Sequence, residues 1–226
     1  MARRPPLCLP VALAALTCAS CVTWGGPRPL EPGEHAVSAT VGGVVTEVPN
    51  LGNIPLPNLT VEGRHGIAHH LEVDYGLHAL PLLFGVAGAH VGAGLQLFDQ
   101  PAPLVPALTV RQRLFGFTNI IDGRKPAPAF FGLSETALLA SWELFDQIGW
   151  LGLLAHASID EPHVHLSPTA GVELRPGLGG LRLGAELRWL APAINQRYAV
   201  VHWLAPGDQG GIQITGGVAW VFGGAS

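Results

Sequence analysis

The stretch His163-Val-His-Leu-Ser-Pro-Thr-Ala-Gly-Val-Glu-Leu-Arg175 decides how the rest of the chain is read. Its even positions, Val164, Leu166, Pro168, Ala170, Val172 and Leu174, are all apolar. Its odd positions, His163, His165, Ser167, Thr169, Gly171, Glu173 and Arg175, are polar or glycine. A two-residue period puts these sets on opposite faces of a strand; on a helix both would be scattered around the axis. Leu181–Leu190 repeats the pattern, with Leu181, Leu183, Ala185, Leu187 and Trp189 against Arg182, Gly184, Glu186 and Arg188. So do Asn58–Ile67, Leu71–Ala79 and Ile212–Phe222. Weaker alternation runs through Val37–Thr46, Ala87–Leu97, Leu108–Leu114, Glu135–Leu144 and Leu151–Ser158. The pattern predicts ten strands, each near the 9–11 residues that a tilted membrane-crossing strand needs. Eight or twelve remain open, because Tyr198–Leu204 also reads as a strand and residues 133–159 do not separate cleanly from helix.

Composition tells which face meets which solvent. The chain has 226 residues, of which only 12% are Asp, Glu, Lys or Arg and 48% are hydrophobic. Its mean hydropathy is +0.35. The polar face of a soluble sandwich is dense in Lys and Glu, yet this chain has a single lysine, Lys125. Its strand charges are Arg, Glu and Asp on a glycine-rich face, which suits a narrow lumen better than a solvated surface. The formal charge of −4, with no basic cluster beyond the N-terminus, argues against a nucleic-acid partner.

The N-terminus reads as an export signal. Arg3 and Arg4 precede an apolar run over Leu7–Thr17, too short to span a bilayer. Ala19-Ser20-Cys21 resembles a bacterial lipobox, although Cys18 stands where that pattern prefers Leu. The division predicted is a signal over 1–20, a Pro/Gly-rich tether over 21–34 beginning at a lipidated Cys21, a barrel over 35–222 and a tail over 223–226. All three cysteines lie in the first 21 residues, so no disulfide is expected in the barrel.

The C-terminal strand Thr215-Gly-Gly-Val-Ala-Trp220-Val-Phe222 resembles the insertion signal of small bacterial outer-membrane β-barrels: Thr215, then Gly217, then Trp220 and Phe222. Such chains usually end on the aromatic, whereas here Gly223–Ser226 follow. Arg64–Val73 is similar to the strand–turn–strand unit of the same family. The resemblance implies an all-β fold, an antiparallel up-and-down transmembrane β-barrel in the bacterial outer membrane. It also implies outer-membrane lipid and the barrel assembly machinery as partners. The turns at 68–70, 99–106, 145–150 and 176–180 then face the periplasm, and the longer connections 49–57, 120–133 and 193–210 face outward. Trp150, Trp220 and Phe222 fall near one rim, Trp189 and Tyr198 near the other, where outward aromatics form girdles.

The alternatives are a soluble periplasmic ligand-binding β lipoprotein and a helical membrane protein using Tyr75–Phe98, a stretch without Asp, Glu, Lys or Arg. The lumen-facing set predicted is Arg64, Arg111, Arg113, Arg182 and Arg188 against Glu62, Glu72, Asp74, Glu135, Glu143, Glu173 and Glu186. Charges withdrawn from bulk water must pair, so this set reads as an ion-pair network. With about ten strands the lumen is too narrow for a porin-like pore, which leaves a structural, surface-interaction or narrow-permeation role.

Catalysis is not expected. His165 and Ser167 sit two apart with Glu173 further along the same face, a base, a hydroxyl and an orienting carboxylate. Outer-membrane lipid A deacylases carry a similar His-x-Ser pair on a barrel strand, but their serine is followed by Asn and here Pro168 follows. His69, His70, His163 and His165 lack the cysteine or acidic spacing of a metal site, and no cofactor is expected.

Overall fold

In a computed structural model, the described residues are 24–48, 52–55, 58–83, 85–120, 130–159, 163–196 and 203–224. The predicted signal, Cys21, Lys125 and Tyr198 lie outside them. The chain forms a closed antiparallel barrel of ten strands. They are β1 (Glu34–Val48), β3 (Asn58–Ala68), β4 (Leu71–His78), β5 (Val86–Phe98), β6 (Ala107–Asn119), β7 (Phe130–Leu144), β8 (Gln147–Ser158), β9 (Val164–Leu174), β10 (Leu181–Asn195) and β11 (Gln209–Gly223). Each barrel strand pairs with its sequence neighbours, and β1 closes the barrel on β11 from Glu34↔Gly223 to Val44↔Gln213. An eleventh strand, β2 (Gly52–Pro55), pairs with the far end of β1 within the predicted 49–57 loop. The barrel therefore has no open edge, and its backbone polar groups are consumed by the ladder.

All ten predicted strands are present. Several are longer than the alternation suggested: β6 runs on to Asn119, and β8 begins at Gln147, leaving Phe145 and Asp146 as the turn instead of 145–150. The 133–159 region is strand except for the Phe145–Asp146 turn and Ile159, with no helix in it. Tyr75–Phe98 is β4 and β5 joined through a four-residue helical turn, Leu80–Leu83, and among the described residues no helix is long and apolar enough to cross a membrane.

The faces are inverted relative to a water-soluble protein. Along β4, Glu72, Asp74 and His78 are buried while Val73, Tyr75 and Leu77 are exposed. At least 38 large hydrophobic side chains are exposed among the described residues, most of them on strands. Full burial of one such side chain is worth roughly 1.5–3 kcal/mol. Even half of that, over so many, is several tens of kcal/mol, more than the ~5–15 kcal/mol that stabilises a domain.

The predicted tether is the main departure. Trp24–Leu30 is not a solvated linker; it runs inside the barrel, where Trp24, Gly25, Gly26, Pro27 and Leu30 are buried. Prolines and glycines leave a segment free of regular structure, but they do not keep it out of a lumen that supplies partners for its backbone.

Candidate functional site

The interior is built from inward positions two residues apart: Glu62 and Arg64 on β3, Glu72 and Asp74 on β4, Arg111 and Arg113 on β6. Between β4 and β6 lies β5, whose inward residues at these levels are Gly92 and Gly94. The register aligns Asp74, Gly92 and Arg113 in one row and Glu72, Gly94 and Arg111 in the next. The missing side chains let the β4 carboxylates reach the β6 guanidiniums across the intervening strand. Arg113 Nε donates to Asp74 Oδ1 at 2.9 Å, and Arg111 Nη2 to Glu72 Oε1 at 2.5 Å. The same device recurs elsewhere. His90 lies over Gly76 in the row starting at Glu62, and Trp150 lies over Gly171.

A side chain at Gly92 tests this spacing. Its Cβ would stand 2.7 Å from both Arg113 Cγ and Asp74 Oδ1. Gly92→Val is expected to lose roughly 1–3 kcal/mol of stability through forced repacking, read as a lower guanidinium midpoint. An unchanged midpoint would mean that the row does not hold the barrel.

The remaining charges pair in the same manner. Arg64 donates through Nη2 to Glu72 Oε2 at 2.6 Å, and Arg113 Nη2 to Glu62 Oε1 at 3.1 Å. Arg188 bonds Glu186, and its Nη1 reaches Glu135 Oε2 at 3.2 Å. Toward the short-turn end, Glu173 takes Arg175 at 3.1 Å and Arg182 at 3.5 Å, while Glu143 takes Arg175 at 3.0 Å and Arg28 at 2.6 Å. Seven arginines thus stand against seven carboxylates among the described residues. Every residue of the predicted lumen set points inward. Glu143 and Arg182 are the outlying members, near the rim and partly accessible.

The N-terminal segment is joined to this network. Arg111 donates to the carbonyls of Gly25 and, at 2.9 Å, Gly26; Arg64 donates to the carbonyl of Arg28 at 2.9 Å. The Leu30 N–H donates to Glu72 Oε2 at 3.1 Å. Arg28 also donates to Ser141 Oγ and Gln100 Oε1. Trp24 fills an apolar socket formed by Ala137, Leu139, Trp150, Leu154 and Ala219. Its indole rests on Gly184 and Gly217, where any Cβ would collide with it. Trp150 therefore faces the lumen and is no part of a rim girdle. Trp220 and Phe222 are about half exposed on the outside, and Trp189 donates its N–H to the carbonyl of Gln209.

The catalytic set does not assemble. Ser167 is 1% exposed and accepts from the Ala191 N–H. Glu173 lies six residues away, about 20 Å along the strand, and is taken up by Arg175 and Arg182. It cannot orient His165. His69 and His70 occupy the β3–β4 turn, and His163 immediately precedes β9. Thr215 of the insertion-signal motif points inward and is buried, and Gly217 supports Trp24.

The sequence reading missed Glu62, Asp74 and His90 as a group, whose potential ligand atoms lie within 4.8 Å of one another. It also missed the hydrogen-bonded series Thr60–His78–His90, each step 3.2 Å. Arg113 already bonds both carboxylates, and Arg111 stands 3.8 Å from Asp74. Added positive charge there would meet two guanidiniums in a lumen whose charges already balance, so the group is read as part of the ion-pair network.

No family model matches the chain, and no curated protein matches it in sequence. Solved structures do resemble it. An outer-membrane channel from Pseudomonas putida F1 is 10% identical, with a TM-score of 0.46 over 89% of this chain and 100% of that one. The translocator domain of the autotransporter NalP from Neisseria meningitidis is 12% identical, with a TM-score of 0.41 over 93% and 92%. The attachment invasion locus protein Ail of Yersinia pestis is 10% identical, with a TM-score of 0.28 over 84% and 99%. These likenesses are of overall fold alone.

Proposed function

We propose that this chain is a bacterial outer-membrane β-barrel that crosses the bilayer with ten strands and is held shut by its own N-terminal segment. Its role is structural or surface contact, not catalysis or general permeation. The observation that carries the reading is the inversion of faces: apolar side chains cover the outside of a closed barrel and charges fill the inside. A soluble periplasmic lipoprotein would leave that apolar belt in water. The strand ends that lead into the long connections around 49–57, 120–129 and 196–208 lie at one end of the barrel, the end we assign to the partner surface. The short turns and the entry of the N-terminal segment lie at the other, which we assign to the periplasm.

The expected result is resistance to carbonate and urea extraction, together with little steady conductance in planar bilayers. Release by carbonate would overturn the membrane reading, and large stable conductance would overturn the closed lumen.

Export on residues 1–20 leaves Cys21 as the acylation site. Labelled palmitate is expected to enter the wild type and to be absent from Cys21→Ser. Label persisting in that variant would reject Cys21 as the acylation site.

A further inference from the structure

The contacts of Trp24–Leu30 differ in kind from those of the barrel. The inter-strand ladder does not include this segment. It is held through lumen side chains that read its backbone, Arg111 and Arg64 on carbonyls and Glu72 on an N–H, by the Arg28 side chain on Ser141 and Glu143, and by apolar contacts of Trp24 in its socket and of Leu30 with Ala36 and Val221. Its register is fixed sterically. A Cβ at Gly25 would collide with Arg113, and one at Gly26 would stand 2.9 Å from Arg64 Nη1 and Glu173 Oε2. An aromatic followed by two glycines suits this order of socket and guanidiniums.

The segment is also equipped to leave. It joins β1 through a tight turn in which the Glu34 N–H donates to the carbonyl of Glu31 and Gly33 adopts φ +80°, a left-handed conformation suited to glycine. Glu31 and Gly33 are exposed at the barrel end. The buried Trp24 N–H finds no acceptor among the described residues, a cost that water would relieve on exit. Departure would strip Arg111 of two carbonyls and Arg64 of one and would take Arg28 away from Glu143, yet Arg111 and Arg64 keep Glu72 and Glu143 keeps Arg175, so each of these wall charges retains a partner.

We propose that the lumen is a binding site for an aromatic–Gly–Gly–Pro–Arg peptide, and that Trp24–Leu30 is its resident, exchangeable ligand. This goes beyond the membrane reading, because it can be measured in detergent micelles whatever membrane the barrel occupies. In the intact chain the short tether gives the segment an effective concentration of roughly millimolar, which excludes free peptide. Preventing the segment from seating should open the site to the same sequence supplied in trans.

The test uses the full chain carrying Gly25→Leu and Gly26→Leu, with a fluorescent synthetic peptide of the wild-type sequence Thr23–Leu30. Heat-modifiable electrophoretic mobility verifies that the barrel has assembled. The variant is expected to bind the peptide at least about tenfold more tightly than the wild type does, in keeping with the removed intramolecular competitor. A control peptide with alanine in place of the tryptophan is expected not to bind. Equal binding by variant and wild type, or equal binding of the two peptides, would overturn the proposal. Should the double variant fail to assemble, a protease site inserted between Glu31 and Pro32 lets the segment be cut after assembly. Release of the cut segment on dilution, with rebinding of the added peptide, is the expected result. A cut segment that stays bound under extensive dilution and cannot be exchanged would equally overturn it.

Discussion

Neutralising both β6 arginines, as Arg111→Met with Arg113→Met, is expected to cost the barrel about 5 kcal/mol or more. Removing one partner of a buried pair typically costs about 3–5 kcal/mol, because the other charge is left without compensation. Here Arg113 serves both Asp74 and Glu62, and Arg111 serves Glu72 together with the carbonyls of Gly25 and Gly26. Three carboxylates lose support at once, and the N-terminal segment loses its main backbone donor. Guanidinium unfolding in phospholipid vesicles gives the size of the loss. Adding Glu72→Gln and Asp74→Asn to the same chain should recover part of it, since fewer charges are then orphaned. No recovery would mean that the arginines act through packing instead of charge.

Trp24→Ala carries the second large effect, about 3 kcal/mol, the lower end of the range for emptying a large buried aromatic site. The surrounding socket is too well formed to collapse: Ala137, Leu139, Trp150 and Leu154 are held by strand pairing on β7 and β8. The loss should come with faster proteolysis of the segment between Trp24 and Glu34 while the barrel keeps its heat-modifiable mobility. Faster proteolysis of the barrel strands themselves would show that Trp24 supports the wall and not only the segment.

These effects mark the limits of what the residues disclosed. Strand number, order and inward parity were legible because each strand keeps a two-residue period over most of its length, as in His163–Arg175 and Leu181–Leu190. The weakest reading fell on 133–159, and the structure gives the reason. Ala137, Leu139, Trp150 and Leu154 are inward yet apolar, because they receive Trp24. Their apolarity erased the contrast between faces that identified the other strands, and it also led Trp150 to be assigned to a girdle at the periplasmic rim. The segment itself carried no period, and its prolines and glycines looked like a linker. Its fit to the lumen depends on Gly184 and Gly217, which belong to strands more than 150 residues away. The His165, Ser167 and Glu173 set shows the converse limit: sharing a face does not bring residues together when about 20 Å of strand separates them.

Which face of each strand meets lipid is tested most directly by a spin-label scan along Leu181–Leu190 in vesicles. Labels at 183, 185 and 187, where Leu183, Ala185 and Leu187 point outward, should collide with dissolved oxygen and be shielded from a water-soluble nickel chelate. Labels at 182, 186 and 188, replacing inward Arg182, Glu186 and Arg188, should be sheltered from oxygen in lipid and should perturb the ion-pair network. Oxygen accessibility oscillating with a period of two is the predicted result. Equal accessibility to the water-soluble chelate at 182 and 183, with no alternation across the strand, would contradict the barrel in its membrane.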